Sequence, residues 1–136
     1  MPVWTVDDFG IPIAAVAATV ISFVWYMPAV AGKAWSAATG ISAERMKATM
    51  RLRVVFAFGM ALLQAIVLST VITVFHRTGI GAGMIMSLFL WLLILSTTLV
   101  NLTYEARPLA LFWIYGGNSF ITFAVMGAIL GGWREM

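Results

Sequence analysis

VVFAFGMALLQAIVLSTVITVF, residues 54–75, is the stretch that decides the fold. It holds no charged side chain; Arg53 precedes it, and His76 and Arg77 follow. A helix rises about 1.5 Å per residue and a bilayer's hydrocarbon core is about 30 Å thick, so roughly 20 such residues cross it once. Residues 9–32, 80–104 and 108–133 are also uncharged and long enough. None shows the ten-residue alternation of a membrane β-barrel strand. The sequence therefore predicts an all-α integral membrane protein, a single domain over residues 1–136 built as a four-transmembrane-helix bundle.

Composition agrees. Of the 136 residues, 62% are apolar and 10% charged, where a soluble domain has about half and about a quarter. So few charges cannot cover a soluble exterior, and so apolar a chain is not disordered. Cysteine is absent, which excludes disulfides, thiolate metal sites and cysteine nucleophiles. The net charge of +3 comes from basic residues gathered in one loop, a pattern of membrane topology rather than of nucleic-acid binding. Residues 1–9 carry Asp7 and Asp8 and no basic side chain, unlike a signal peptide, so the first apolar stretch is expected to stay as a span.

Lys33, Arg45, Lys47, Arg51 and Arg53 fall in the first connection and Arg107 in the third, against Arg77 in the second and Arg134 at the C-terminus. Because Lys and Arg are retained on the cytoplasmic side, connections one and three are expected there, with both termini outside. The short second and third connections predict that spans two to four are antiparallel neighbours. Ser42 to Arg53 reads as a short amphipathic basic helix in the first cytoplasmic loop, capped by Ser42 with Glu44 in its first turn. It suits either an interfacial helix near anionic headgroups or an extension of span two; with no Gly or Pro before Val54, the extension is favoured. Pro28 should kink or end the first helix and leave carbonyls near Val24 unpaired, whereas Pro12 sits in a first turn, where it is tolerated. Trp25, Tyr26, Trp35, Tyr104 and Trp113 on one side, and Trp4 and Trp133 on the other, read as belts at the two membrane faces.

Polar residues inside the slab are the functional candidates. Thr19, Gln64 and Asn118 each lie about ten residues into a span and so near the midplane, forming either hydrogen-bonded helix glue or a layer on a solute path. Thr97, Asn101 and Glu105 share a face at i, i+4, i+8, beside Tyr104. Arg107, Lys33 or another basic residue of the first connection is the expected partner of Glu105, the acid closest to hydrocarbon. Ala14, Ala18 and Ser22, and the pair Gly127 and Gly131, are small-residue stripes that allow close helix approach, within one subunit or between subunits of a homo-oligomer. Enzyme chemistry finds no footing: His76 is the only histidine, no Ser-His pairing is apparent for Ser69 or Ser119, and no metal, catalytic or cofactor set is gathered. Gly79, Gly81 and Gly83 follow no strand, so a phosphate loop is excluded. The nine methionines read as gap-filling residues.

Phe23-Val24-Trp25-Tyr26-Met27-Pro28, followed by Gly32-Lys33-Ala34-Trp35, resembles the signature of the domain-of-unknown-function-1761 family of small bacterial membrane proteins. Gly40 to Lys47, Asn101 to Pro108 and the Gly127-to-Trp133 end of the last span extend the resemblance over most of the chain. The resemblance implies a four-helix protein of the bacterial cytoplasmic (inner) membrane and supplies no activity. Four-helix multidrug transporters carry a glutamate in their first span; here no ionisable residue precedes Lys33 in that span.

Two functions follow as expectations. One is a homo-oligomeric small-solute channel or transporter using the Thr19, Gln64 and Asn118 layer and the Glu105 patch. The other is a non-transporting module that binds anionic membrane lipid or a partner protein through Arg45, Lys47, Arg51 and Arg53.

Overall fold

The computed structural model describes residues 9–76 and 79–135, with the side chains at 28, 29, 43 and 133–135 left aside. The sequence features at Trp4, Asp7, Asp8 and Arg77, and the side chains of Trp133, Arg134 and Glu135, lie outside the described residues. Six α-helices follow in order: α1 (Gly10–Trp25), α2 (Lys33–Thr39), α3 (Ala43–Ala48), α4 (Met50–Val74), α5 (Ile80–Tyr104) and α6 (Leu109–Glu135), with one π-helical turn, Pro28–Gly32, between α1 and α2. No strand occurs among the described residues.

The surface is compatible with a membrane protein. Leu52, Val55 and Phe56 on α4 and Phe89 and Leu93 on α5 are each more than 60% exposed, and apolar surface on this scale marks a membrane or protein contact. Three helices are long and apolar enough to cross a bilayer: Met50–Val74, Ile80–Tyr104 and Leu109–Gly132. The first apolar stretch is broken at Pro28, as expected. Gly10–Trp25 and Val30–Thr39 meet at 55° and qualify as a span only when taken together. Pro28 has no N–H and forces the preceding Met27 to extended backbone (ψ 146°). The carbonyls there are nevertheless used. Val24 accepts from the Met27 N–H at 3.1 Å, and the Met27 carbonyl accepts from Val30 at 2.9 Å and Gly32 at 3.0 Å. A Cβ at Gly32 would sit 2.9 Å from the Met27 carbonyl carbon, so only glycine lets the turn close this tightly.

Between Ser42 and Arg53 the expected continuous helix is divided. Ser42 caps α3 as predicted, its hydroxyl accepting from the Arg45 N–H at 3.1 Å. The chain then breaks at Thr49 (φ −107°, ψ 10°) without Gly or Pro. The Thr49 hydroxyl donates to the carbonyls of Arg45 and Met46, the local side-chain competition by which threonine disturbs helices. Arg45 and Lys47 therefore belong to α3, while Arg51 and Arg53 open α4.

The central core joins three helices. Ile11, Ala14, Ala15 and Ala18 of α1 meet Ala61, Ala65, Leu68 and Ile72 of α4 and Phe123, Met126 and Leu130 of α6. Of the expected neighbours, α5 packs on α6, whereas α4 touches α5 only slightly; α1 lies against both α4 and α6. The reason is at Gly79. Its φ of +106° favours glycine, and its N–H donates to the Gly131 carbonyl at 2.8 Å, tying the start of α5 to the end of α6. Past it, Gly83 faces Gly127 and Gly131 with no room for a Cβ on any of them, and the Ser87 hydroxyl donates to the Phe123 carbonyl at 2.6 Å. The Gly127 and Gly131 stripe is thus consumed within the chain. We call this the glycine end; the opposite one, with Lys33, α3 and Arg53, is the basic end.

Candidate functional site

At the basic end the helices stand apart. A second apolar cluster there, centred on Ala31, Trp35, Leu102, Leu111 and Ile114, leaves a cleft beside it, because the π-helical turn swings α2 off the axis of α1. The cleft has two lobes, of about 370 Å³ and about 390 Å³, that share Phe23, Tyr26, Met46 and Met50. Thr19 and Ser22 of α1, Trp35 of α2, Arg53, Val54 and Ala57 of α4 and Tyr115 of α6 line the first lobe. Met27, Gly32, Lys33, Ser36 and Lys47 line the second. Each lobe is of small-molecule size, at the low end of the usual range of about 300–1,000 Å³.

Its walls are held by specific contacts. Trp35, 7% exposed, meets Tyr26 edge-on with ring centroids 6.0 Å apart. The Arg53 guanidinium lies 5.9 Å from the Trp35 ring centroid, and Arg53 Nε donates to the Thr49 hydroxyl at 2.8 Å. Two contacts therefore fix the arginine while its terminal N–H groups stay unengaged among the described residues. Trp25 Nε1 donates to the Ile114 carbonyl at 3.0 Å, and Gly117 makes room for that indole, since a Cβ there would sit 2.9 Å from it. The belt residues divide: Tyr26 and Trp35 line the cleft and Trp25 packs on α6, while Tyr104 and Trp113, at 88% and 69% exposure, face outward.

The midplane candidates divide. The Thr19 hydroxyl donates back to the Ala15 carbonyl at 2.8 Å. Asn118 Nδ2 donates to the Ser22 hydroxyl at 3.4 Å, while its Oδ1 and the Thr122 hydroxyl, both buried, lack a partner among the described residues. Thr19 and Ser22 thus reach the floor of the cleft, with Asn118 behind Ser22. Gln64 does not join them. It is exposed, because the buried stripe of α4 runs through Ala61, Ala65 and Leu68 and Gln64 lies off it. No hydrogen bond links Thr19, Gln64 and Asn118 among the described residues.

The second candidate patch faces out of the bundle. Thr97, Asn101 and Tyr104 are exposed, and the Thr97 hydroxyl donates to its own helix at the Leu93 carbonyl. Glu105 pairs with Arg107, Oε2 to Nε at 3.8 Å, because the chain reverses at Ala106 (φ +54°). Both side chains are about half exposed, 58% and 46%, so solvent screens the pair. Lys33 is elsewhere, in the second lobe of the cleft.

All five basic residues of the first connection are exposed; Lys33, Lys47 and Arg53 line the cleft, and Arg45 and Arg51 do not. His76 is exposed in the turn after α4. Ser119 accepts from Trp91 Nε1 at 2.9 Å. No cluster of three or more His, Cys, Asp or Glu able to hold a metal occurs among the described residues. The sequence reading missed Met46 and Met50 as cleft walls. Their i, i+4 spacing beside Lys47 and Arg53 was the available signal, and general gap-filling hid it.

No curated protein and no solved structure matches the chain. The family model described as "Protein of unknown function (DUF1761)" matches residues 9–131, a span that includes every wall of the cleft, and on that match the chain belongs to the DUF1761 family.

Proposed function

We propose that the protein is a four-span module of a cytoplasmic membrane that engages anionic lipid at its basic end and does not conduct solute. The bent pair of Gly10–Trp25 and Val30–Thr39 serves as the fourth span. Lysine and arginine are retained inside, so the basic end faces the cytoplasm and both termini lie outside. The observation that carries the reading is the cleft itself: apolar walls with Lys33, Lys47 and Arg53 around them. Anionic surfaces attract such cations by about 1 kcal/mol each.

The rival reading, passage of a solute, draws on Thr19 and Asn118 at the cleft floor but loses Gln64, which is exposed on α4. The small-residue stripes no longer argue for a homo-oligomer, since Ala14 and Ala18 pack on α4 and α6 and Gly127 and Gly131 on α5.

The test is native mass spectrometry of protein extracted from mixed phosphatidylglycerol and phosphatidylcholine bilayers. Lys47→Gln with Arg53→Gln should abolish phosphatidylglycerol enrichment, and Arg45→Gln with Arg51→Gln should reduce it less. Equal loss from both pairs, or none from either, contradicts the reading. So does a solute flux in proteoliposomes that Asn118→Ala alters.

A further inference from the structure

We infer that the cleft is a binding site for a single-chain anionic amphiphile, a fatty carboxylate, with its chain against Phe23, Met46 and Met50 and its acid group at Arg53 and Lys47. This deepens the proposed engagement of anionic lipid and rests on it for the charge of the ligand.

Charge balance makes the first argument. Glu105 with Arg107 is the one ion pair among the described residues, so Lys33, Lys47 and Arg53 surround an apolar cleft without an acidic partner. An apolar cavity ringed by uncompensated cations repels a zwitterion's ammonium and attracts an anion attached to hydrocarbon. Arg53 is also the pre-organised member. With Nε held by Thr49 and the guanidinium over Trp35, its two terminal amino groups are presented in a fixed orientation, and a fixed fork suits a carboxylate.

Size and wall chemistry make the second. Two lobes of about 370 Å³ and about 390 Å³ with four residues in common suit one chain. Two of those four shared residues are methionines, whose unbranched, polarisable side chains adapt to flexible hydrocarbon. The Thr49 break places Met46 on α3 and Met50 on α4, so two helices close on the same ligand.

The experiment uses the full chain in phosphatidylcholine nanodiscs. Dibromostearate is titrated while tryptophan fluorescence is followed; Trp35 lines the first lobe. Saturable quenching is expected, reversed by stearate but not by methyl stearate. Arg53→Gln with Lys47→Gln should weaken binding at least about tenfold, as expected for loss of a charge-assisted contact. Ala57→Leu should remove stearate binding by filling the first lobe of the cleft. Non-saturable quenching, equal competition by methyl stearate, or equal competition by diacyl phosphatidylglycerol would each overturn the inference. The two readings fail separately: if charge neutralisation leaves phosphatidylglycerol enrichment intact yet weakens stearate, the broad reading falls and the cleft assignment stands.

Discussion

At the glycine end α5 and α6 approach until backbone meets backbone: Gly83, Gly127 and Gly131 leave no space for a side chain, and the Gly79 N–H donates to the Gly131 carbonyl. At the basic end α1 stops at Trp25, the chain bends, and a cleft opens between α1, α2, α3 and α4. The same apolar chain is sealed at one end and open at the other. In a bilayer, where lipid is as apolar as leucine, close approach and interhelical hydrogen bonds do the joining, so the end where α2 and α3 stand off the bundle leaves room for a ligand. Stability and binding should therefore respond to mutation at opposite ends.

The largest expected effect is Gly83→Leu. A Cβ there would lie 2.7 Å from the Gly131 Cα, and backbone cannot yield as a side chain does. Overpacking costs about 1–3 kcal/mol and occasionally more, so unfolding in mixed micelles should shift by about 3 kcal/mol. A small shift would mean that the two ends do not differ as described. Trp25→Phe comes next. It removes the bond to the Ile114 carbonyl and part of the indole that Gly117 accommodates, a loss of about 1–2 kcal/mol readable in the same unfolding assay. Ser87→Ala removes the hydroxyl bond to Phe123, for about 0.6 kcal/mol, the average for such bonds between membrane helices.

Smaller still are changes on surfaces that the bundle does not use. Gln64→Leu should leave stability unchanged or raise it, since an exposed amide at mid-span gains nothing from hydrocarbon; clear destabilisation would show that Gln64 has a partner. Glu105→Gln should cost at most about 0.5 kcal/mol, and raising the salt concentration should erase the difference, because the pair with Arg107 is half exposed.

Much of the fold was legible in the sequence because hydrophobic length is a strong signal. The uncharged stretches at 54–75, 80–104 and 108–133 correspond to three long helices with boundaries shifted by a few residues. Pro28 located the break in the first stretch, because a missing N–H is a local fact. The adjacent Gly32 and the π-helical turn were not legible, since they depend on how closely the Met27 carbonyl returns. That α4 touches α5 only slightly was not legible for a related reason. A short connection normally pairs its helices, but Gly79 donates to Gly131 across space, a contact that spacing along the chain does not reveal. In the candidate site, Thr19 lines the cleft and Asn118 bonds Ser22, whereas Gln64 is exposed; residue count gives position along a helix, and facing depends on which stripe is buried. Lys47 and Arg53 were read as lipid or partner contacts, and the cleft that they line was not legible because it depends on the break at Thr49.

On the proposed reading, the basic end is a cytoplasmic cleft that takes an anionic amphiphile. The chain contains no cysteine, so one can be introduced at the cleft wall as Met50→Cys and challenged with a membrane-impermeant maleimide. Labelling is expected in inside-out vesicles and not in intact cells, with protection by stearate but not by methyl stearate. Labelling from the outside, or labelling that stearate leaves unchanged, would contradict it.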